Sequence, residues 1–431
     1  MSNNGGAAVT EGVPRLVPKI RFPEFQDAEP WKLRELSELM SESRKKNRNL
    51  KYGPEHVLSV SGEYGCVNQI DFMGRSYAGA SVKEYNVVET GDIVYTKSPL
   101  KACPNGIIKA NKGAAGIVSV LYAVYRPTAA SRSDFLDFYF SSSHKLNTYL
   151  QPLVKKGPKN SILVNNSDVL KGRIGAPNVI EQQKIAACLS SLDALIAAST
   201  EKLAALRDHK NGLTHQLFPA EGETTPRLRL PEFQDAGEWE EKRLDAICSI
   251  QRGKFSHRPR NDPGFFGGKY PFIQTGDVVA SKGGPVKASQ SLNDRGLSVS
   301  KLFQPPMVLV TIAANIGDTG ILDREACFTD SVVGLTPNID CCPYFLESIV
   351  RRKKNYLNQI APAAAQKNIN NEILSVLTVL VPSFTEQQRI AAFLSSIDAL
   401  IVAQADRVDT LKFHKNGLMQ QLFLAPVEAV V

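Results

Sequence analysis

The strongest constraint on what this chain can fold into is that it contains itself twice. Pro23-Glu24-Phe25-Gln26-Asp27-Ala28 returns letter for letter as Pro231-Glu232-Phe233-Gln234-Asp235-Ala236, a shift of 208 positions. Glu181-Gln182-Gln183-Lys184-Ile185-Ala186-Ala187 returns as Glu386-Gln387-Gln388-Arg389-Ile390-Ala391-Ala392, a shift of 205. The stretches between these anchors are nearly equal in length yet largely different in sequence. A period of about 205 residues far exceeds the 20–50 residues typical of solenoid repeats, so this is domain duplication rather than a repeat array. One scaffold carrying two different inserts presents two different surfaces.

The scaffold reads as two long helices. Across residues 181–218, Ile185, Cys188, Leu192, Leu195, Leu203, Leu206, Leu213 and Leu217 recur at three- and four-residue steps, as one helix face requires, with Ser199 and Lys210 interrupting. Residues 386–423 repeat the stripe with Ile390, Phe393, Ile397, Leu400, Val408, Leu411, Leu418 and Leu422, and Lys415 and Gly417 stand where Lys210 and Gly212 stood. About 38 residues make a rod of roughly 57 Å. A helix of that length with one narrow apolar face needs a partner. The economical partner is its own duplicate, packed as an antiparallel coiled coil with a pseudo-twofold relation between the halves. The residues expected to pair the helices are Ile185, Leu192, Leu195 and Leu206 with Ile390, Ile397, Leu400 and Leu411. The alternative is that each helix packs only on its own globular domain. Thr385 before Glu386 resembles an N-cap, Ile180 offers a poorer one in the first copy, and Pro177 and Pro382 rigidify the two approaches.

The inserts, residues 30–176 and 238–381, read as mixed α/β. Strands are expected at Asp92–Thr96, Gly116–Tyr125, Met307–Ile312 and Ser331–Leu335, and helices at Ser133–Tyr149 and Pro343–Ile360. No strict βαβ alternation occurs, so a doubly wound parallel sheet is not supported. The expected fold class is α+β, with two mixed α/β domains alternating with two paired long helices. The expected boundaries are a flexible tail at 1–13, a first domain at 14–179, a first helix at 180–219, a second domain at 220–384, a second helix at 385–424 and a tail at 425–431.

A net charge of +8 and a pI near 9.0 favour a polyanionic partner only weakly. The placement of the charge is more informative. Basic and amide side chains cluster in expected loops of both inserts. They are Arg44, Lys45, Lys46 and Arg48, then Lys97 and Ser98, then Lys156 and Lys159 in the first. In the second they are Arg252, Lys254, Arg258 and Arg260, then Gln274 and Thr275, Asn315, Lys367 and Asn368. Lys and Arg neutralise phosphates, while Arg, Asn and Gln pair with base edges in the major groove. Tyr64 and Tyr270 offer apolar or stacking contact. The bland alternative for any one cluster is a solvated loop; recurrence in both halves favours double-stranded DNA.

Chemistry-bearing motifs are missing. There is no phosphate-binding G-x-x-x-x-G-K-[ST] loop, no glycine-rich cofactor turn after a strand, and no C-x-x-C or His/Cys cluster with metal-ligand spacing. The single Pro-Pro, Pro305-Pro306, is not the Asn/Asp-Pro-Pro-aromatic loop of an amino-methyltransferase. His209 and His414 are equivalent helix-face residues. Seven cysteines, an odd number without framework spacing, read as reduced thiols of a cytosolic protein. Met1-Ser2-Asn3-Asn4-Gly5 lacks the basic-then-apolar order expected of a signal peptide, and no apolar run is long enough to span a bilayer.

The doubled order of a variable insert followed by E-Q-Q-[KR]-I-A-A-x-L-S-S-[LI]-D-A-L-I resembles the specificity subunits of type I restriction-modification systems. Gly91-Asp92-Ile93-Val94, the proline before each Glu-Gln-Gln, and the P-E-F lead-in reaching Trp31 and Trp239 add to the likeness. The resemblance covers residues 14–424. It implies two target recognition domains, each reading one half of a split asymmetric DNA site, and two helices that set the spacer. It also implies binding to two modification subunits that carry S-adenosylmethionine, and to restriction subunits that use ATP and Mg. No cofactor, metal or catalytic residue is then expected in this chain itself, and its location is cytoplasmic. The alternative is a stand-alone DNA-binding or coiled-coil interaction protein.

Overall fold

The two long helices exist because each has a cap before it and a seam along it. The computed structural model describes residues 16–79, 81–157, 162–361 and 368–425. The first frame helix is Val179–Leu217 and the second is Phe384–Leu422, 39 residues each. Their caps are equivalent and lie two residues before Thr385 and Ile180: the Glu181 N–H donates to Asn178 Oδ1 (2.9 Å) and the Glu386 N–H to Ser383 Oγ (3.4 Å). Thr385 therefore sits inside the first turn, not at the cap. Pro177 and Pro382 immediately precede the true caps, where a missing N–H costs the helix nothing.

The chain divides into two compact units, Met1–Thr200 with Asp406–Val431, and Glu201–Ala405. Both boundaries fall inside a frame helix, so each unit holds the first half of one helix and the last half of the other. In unit 1, Ile185, Ala186 and Leu189 share a core with Leu422, Phe423 and Leu424, and Lys415 Nζ lies 2.5 Å from Asp193. In unit 2, Ile390, Ala391 and Leu394 share a core with Leu217 and Phe218, and Lys210 Nζ lies 2.6 Å from Asp398. The start of one helix meets the end of the other, so the pairing is antiparallel within each unit. Lys210 and Lys415, which interrupt the apolar stripe, are the cations of one ion pair built twice.

The seam corrects the sequence-based stripe. Buried or half-buried positions alternate four and three apart through Ile185, Leu189, Leu192, Ile196, Ser199, Leu203, Leu206 and Lys210. The second helix matches with Ile390, Leu394, Ile397, Ile401, Gln404, Val408, Leu411 and Lys415. That is a 3.5-residue repeat, the signature of a coiled-coil seam. Leu195 and Leu400, expected to pair the helices, are 40% and 58% exposed, and Phe393 is exposed as well. Leu189 and Ile196, with Leu394 and Ile401, take the places assigned to them.

Each insert is built on a four-stranded antiparallel sheet of the same order. In unit 1 the neighbours run Met40–Glu42, Tyr122–Pro127, Ile93–Thr96, Ile107–Ala110; in unit 2 they run Cys248–Arg252, Val332–Pro337, Met307–Thr311, Thr319–Leu322. A two-stranded clasp closes each insert at its base: Lys32–Glu35 pairs with Arg173–Ala176, and Glu240–Arg243 with Thr378–Val381. The two units part company in their second sheets. Unit 1 has the hairpin of Leu58–Ser61 with Gly65–Asn68, and the pair Asn86–Val88 with Gly116–Val118. Unit 2 has a four-stranded sheet ordered Gln290–Leu292, Phe266–Ile273, Ala326–Phe328, Leu302–Phe303, with one parallel pairing.

The expected strand Gly116–Tyr125 is two strands in different sheets, parted by a turn in which the Tyr122 N–H donates to the Ser119 carbonyl. The expected helices break likewise, into Ser133–Ser141 and Ser143–Leu150, and into Pro343–Arg352 and Lys354–Ile360. Phe135 and Leu136 of the first, and Phe345 and Leu346 of the second, are wholly buried against the sheet and the frame helices of their own unit.

Lys145 is an oddity of the first core. It is 8% exposed, its Nζ lies 4.6 Å from the Phe423 ring centroid and 5.5 Å from that of Tyr139, and burial pushes its pKa down to about 8. An unfolded chain titrates this ammonium near 10.5. Between those values the unfolded state binds more protons, so the Lys145 contribution to stability rises with pH from about 8 to about 10.5. Lys145→Met is expected to stabilise unit 1 at pH 7 by on the order of 2 kcal/mol, less than the shift alone implies because the ring contacts are lost. It should also remove that rise, which urea unfolding of both proteins between pH 7 and 10 will show.

Candidate nucleic-acid interface

The inserts are held to the frame by one set of bonds made twice, which explains the repeated motifs. Glu181 accepts from Arg21 Nε (2.8 Å) and Nη2 (2.7 Å), and Glu386 accepts from Arg229 through the same two atoms at the same distances. All four side chains are under a tenth exposed. Hydrogen bonding to the carboxylate raises both arginine pKa values, against the opposing effect of burial. Gln182 accepts from the Arg132 N–H and donates to the Ala130 and Pro177 carbonyls; Gln387 accepts from the Cys342 N–H and donates to those of Asp340 and Pro382. Lys184 pairs with Glu24 and Arg389 with Glu232. The P-E-F lead-in and the Glu-Gln-Gln segment are thus two sides of one joint. The copies differ at the tryptophan: Trp31 Nε1 donates to Glu181 (3.1 Å), while buried Trp239 Nε1 has no hydrogen-bond partner among the described residues.

Far along the chain from each joint, sheet topology gathers segments that the sequence keeps apart. In unit 2 the strand Cys248–Arg252 ends beside the start of Val332–Pro337, next to the end of Met307–Thr311. Backbone bonds carry the edge onward: Gly253 N–H to the Val332 carbonyl, Lys254 N–H to Phe328, Ile312 N–H to Ser331, Ile369 N–H to Ile312, and Thr329 N–H to Ile273. Asn368 bridges to Ala313. A Cβ on Gly253 would collide with the Thr329 carbonyl oxygen, so the two loops can lie this close only with glycine there.

Arg252 at its strand end, and Lys254, Asn315 and Asn368 on the adjoining loops, are therefore exposed at one end of one sheet, with Gln274 and Thr275 beside them after Ile273. Arg258 and Arg260 join through Asp330, whose carboxylate lies 3.2 Å from Arg258 Nη2 and 2.6 Å from Arg260 Nη2. Arg252 Nε donates to the Asp330 carbonyl oxygen (2.6 Å). Gln274 Nε2 donates to Gln290 Oε1 (2.6 Å), and Thr275 opens the short helix Thr275–Ser281. Lys367 lies outside the described residues.

Unit 1 repeats the arrangement with other side chains. Arg44 follows the strand Met40–Glu42, 208 positions before Arg252, and is solvent-exposed 3.7 Å from Glu42. Half-buried Lys97 donates to the Val164 carbonyl (2.8 Å), and burial lowers its pKa. Asn166 donates to Glu42 (2.8 Å), and Ser98 is exposed. The turn matching Thr329-Asp330-Ser331 is Ser119-Val120-Leu121, where Val120 is 56% and Leu121 72% exposed. Lys45 is drawn off to Glu89 (2.7 Å), whose hydrogen bond raises its pKa, and Lys46 donates to the Glu84 carbonyl (3.0 Å). Arg48 is exposed. Lys156 stands on the small pair of Lys155–Lys156 with Ile162–Leu163, and Lys159 lies outside the described residues. Asp330, Asn166, Val120 and Leu121 escaped the sequence reading. No local signal marks a lone aspartate or an apolar turn as part of a basic surface; only strand pairing brings them there.

The sequence pattern described as "Type I restriction modification DNA specificity domain" matches residues 236–411. A putative type I restriction enzyme MjaX specificity subunit from Methanocaldococcus jannaschii is 23% identical over 281 residues, 64% of this chain and 64% of that protein, so just under two thirds of the relative's length is spanned. The crystal structure of the type I restriction-modification S subunit from M. genitalium matches with a TM-score of 0.60, covering 95% of this chain and all of that one at 14% identity. Residues 236–411 of this chain are thus a type I restriction-modification DNA specificity domain by sequence, and the whole chain is similar to type I specificity subunits. A chain solved in work on complex assembly and conformational transition of a type I system matches at a TM-score of 0.54 and 18% identity, over 92% of this chain and 98% of that one. At these identities the solved neighbours speak for the fold alone.

Other features of the chain bear on the chemistry available to it. A cleft of about 560 Å3 in unit 2 lies against the joint and is lined by Arg229, Lys242, Asn338, Asp340, Glu386 and Gln387. Within it Arg229 is bound to Glu386 and Lys242 to Glu240. Burial pushes the thiols of Cys66, Cys248 and Cys341 up to about 12, away from any nucleophilic role. Among the described residues no group of three or more His, Cys, Asp or Glu side chains could hold a metal ion, and no helix is long and apolar enough to cross a membrane.

Proposed function

We propose that this subunit supplies the DNA address of a type I restriction-modification complex and no chemistry of its own. Each recognition domain, taken as residues 14–179 and 220–384, reads one half of a split, asymmetric target. The helices, taken as 180–219 and 385–424, set the gap between the halves. The observation that carries this reading is the convergence of Arg252, Lys254, Arg258, Arg260, Asn315 and Asn368 at one sheet end of unit 2, with Arg44 and Lys97 at the equivalent end of unit 1. Lys and Arg at such an edge neutralise phosphates, and Arg and Asn pair with guanine and adenine. The exposed Val120-Leu121 turn offers apolar contact to a thymine methyl where unit 2 offers arginines. Two unlike edges read two unlike half-sites.

Modification subunits carrying S-adenosylmethionine, two per complex, are the proposed partners of the frame, with restriction subunits that use ATP and Mg joining them. Leu195 and Phe413 in unit 1, and Phe393, Leu400 and Val402 in unit 2, support this by leaving apolar side chains in solvent on the frame helices.

The test is a methylome of cells expressing this chain with its modification subunit, against cells expressing the modification subunit alone. A split N6-methyladenine motif with a fixed gap is expected. Exchanging residues 30–176 with those of a relative should then change one half-site and leave the other intact. No new methylation from an assembled complex, or a change in both halves on exchange, would sink the proposal.

A further inference from the structure

At the basic edge of unit 2 one carboxylate, that of Asp330, sits against two of the arginines. Asp330 Oδ1 and Oδ2 lie 2.6 and 2.7 Å from Arg260 Nη2, and Oδ2 lies 3.2 Å from Arg258 Nη2. The carboxylate itself is 29% exposed, and the two arginines 52% and 47%. Its backbone is fixed from three directions: the Asp330 carbonyl accepts from Arg252 Nε, the Ser331 carbonyl from the Ile312 N–H, and the Thr329 N–H donates to Ile273. The other end of the fork is fixed too, since Arg258 Nη1 donates to the Phe255 and His257 carbonyls, both at 2.8 Å. The turn thus holds an acceptor against Arg260 and against an Arg258 already anchored at its other nitrogen.

We infer that Asp330 is a specificity-determining residue of this edge, a positioning group that holds Arg258 and Arg260 and releases them only to a better acceptor. The inference rests on the DNA-reading role proposed above. An isolated phosphate on a non-target duplex must displace a carboxylate already in place and gains little by the exchange. A target that presents guanine O6 and N7, or a phosphate and a base edge together, fills more of the guanidinium fork than one carboxylate can. Asp330 also removes one positive charge from a patch that holds Arg252, Lys254, Arg258 and Arg260, lowering the general attraction for any DNA. Unit 1 carries Val120 at the equivalent turn position and so lacks this device.

The full chain assembled with its modification subunits is titrated with a duplex carrying the methylated motif and with a scrambled duplex, across a series of KCl concentrations. For Asp330→Asn the scrambled duplex is expected to bind several-fold tighter, and the target-to-scrambled ratio to fall about 10-fold. The slope of log K against log salt should steepen by about 1, one phosphate's worth. Asp330→Glu should keep both quantities near wild type. In an Arg258→Gln/Arg260→Gln background, Asp330→Asn should leave the target-to-scrambled ratio unchanged, because that effect runs through those two side chains. A turn that merely stabilised the fold would act equally in both backgrounds, and that outcome overturns the inference. So does an unchanged ratio and slope in Asp330→Asn. Wild-type complex with no preference for the motif would instead overturn the DNA-reading role itself, before any variant is compared.

Discussion

Glu386→Ala is expected to lower the unfolding free energy of unit 2 by about 3–5 kcal/mol, the usual cost of leaving one half of a buried ion pair behind. Arg229 would remain 8% exposed with its carboxylate gone, holding only the Ala236 carbonyl. The loss should exceed that of Arg229→Met/Glu386→Met, which removes both charges and leaves apolar volume in their place. The chain offers a clean reporter, because its only tryptophans are Trp31 in unit 1 and Trp239 in unit 2. In a Trp31→Phe background, urea unfolding followed by fluorescence reads the environment of Trp239, which lies in the core beside Phe218 and Phe345. A cost under 1 kcal/mol would show that the joint is ornamental and that the repeated Glu-Gln-Gln has another reason to exist. Unit 1 should respond more strongly to Glu181→Ala, because there Trp31 loses its acceptor as well.

Leu394→Ala should cost about 2–5 kcal/mol, whereas Leu400→Ala, six residues on in the same helix, should stay within about 0.5 kcal/mol. Leu394 is 5% exposed among Ile390, Leu217 and the domain core of unit 2; Leu400 is 58% exposed. The same contrast is expected of Leu189 and Leu195 in unit 1, at 0% and 40% exposure. Thermal unfolding of the four single variants decides it. If Leu394 and Leu400 prove equally costly, the seam does not run where the structure has it. If Leu400→Ala leaves stability intact but weakens assembly with the modification subunit, the exposed leucine belongs to the partner surface proposed for the frame.

These pairs also mark how far the sequence could be read. Both stripes are rich in leucine, and steps of three and four can be threaded through Leu195 or through Ile196 with equal ease. Periodicity names the face to within about one residue, or 100° of helix rotation. What separates Leu195 from Ile196 is the opposing helix, whose halves lie some two hundred residues away in the chain. The caps carry the same lesson at shorter range. Thr385 has the chemistry of a cap, but Ser383 and Asn178 do the capping, because the preceding proline and the clasp strand decide where the backbone turns into the helix.

The sequence by itself determined the duplication, the two helices, the α+β character of the inserts and the family likeness. These signals are local or periodic, and each survives without knowledge of the fold. The apolar run from Gly116 to Tyr125 marked the limit, since nothing in it announced that Val120 and Leu121 would turn out into solvent between two different sheets. Only the tertiary structure decided the seam register, the Arg–Glu joint that gives the repeated motifs their purpose, and the gathering of Arg252, Arg258, Arg260 and Asn368 around Asp330. Each of these is a contact between residues tens to hundreds of positions apart. Which strands lie side by side is settled by the packing of whole sheets against helices, so spacing along the chain carries no trace of it.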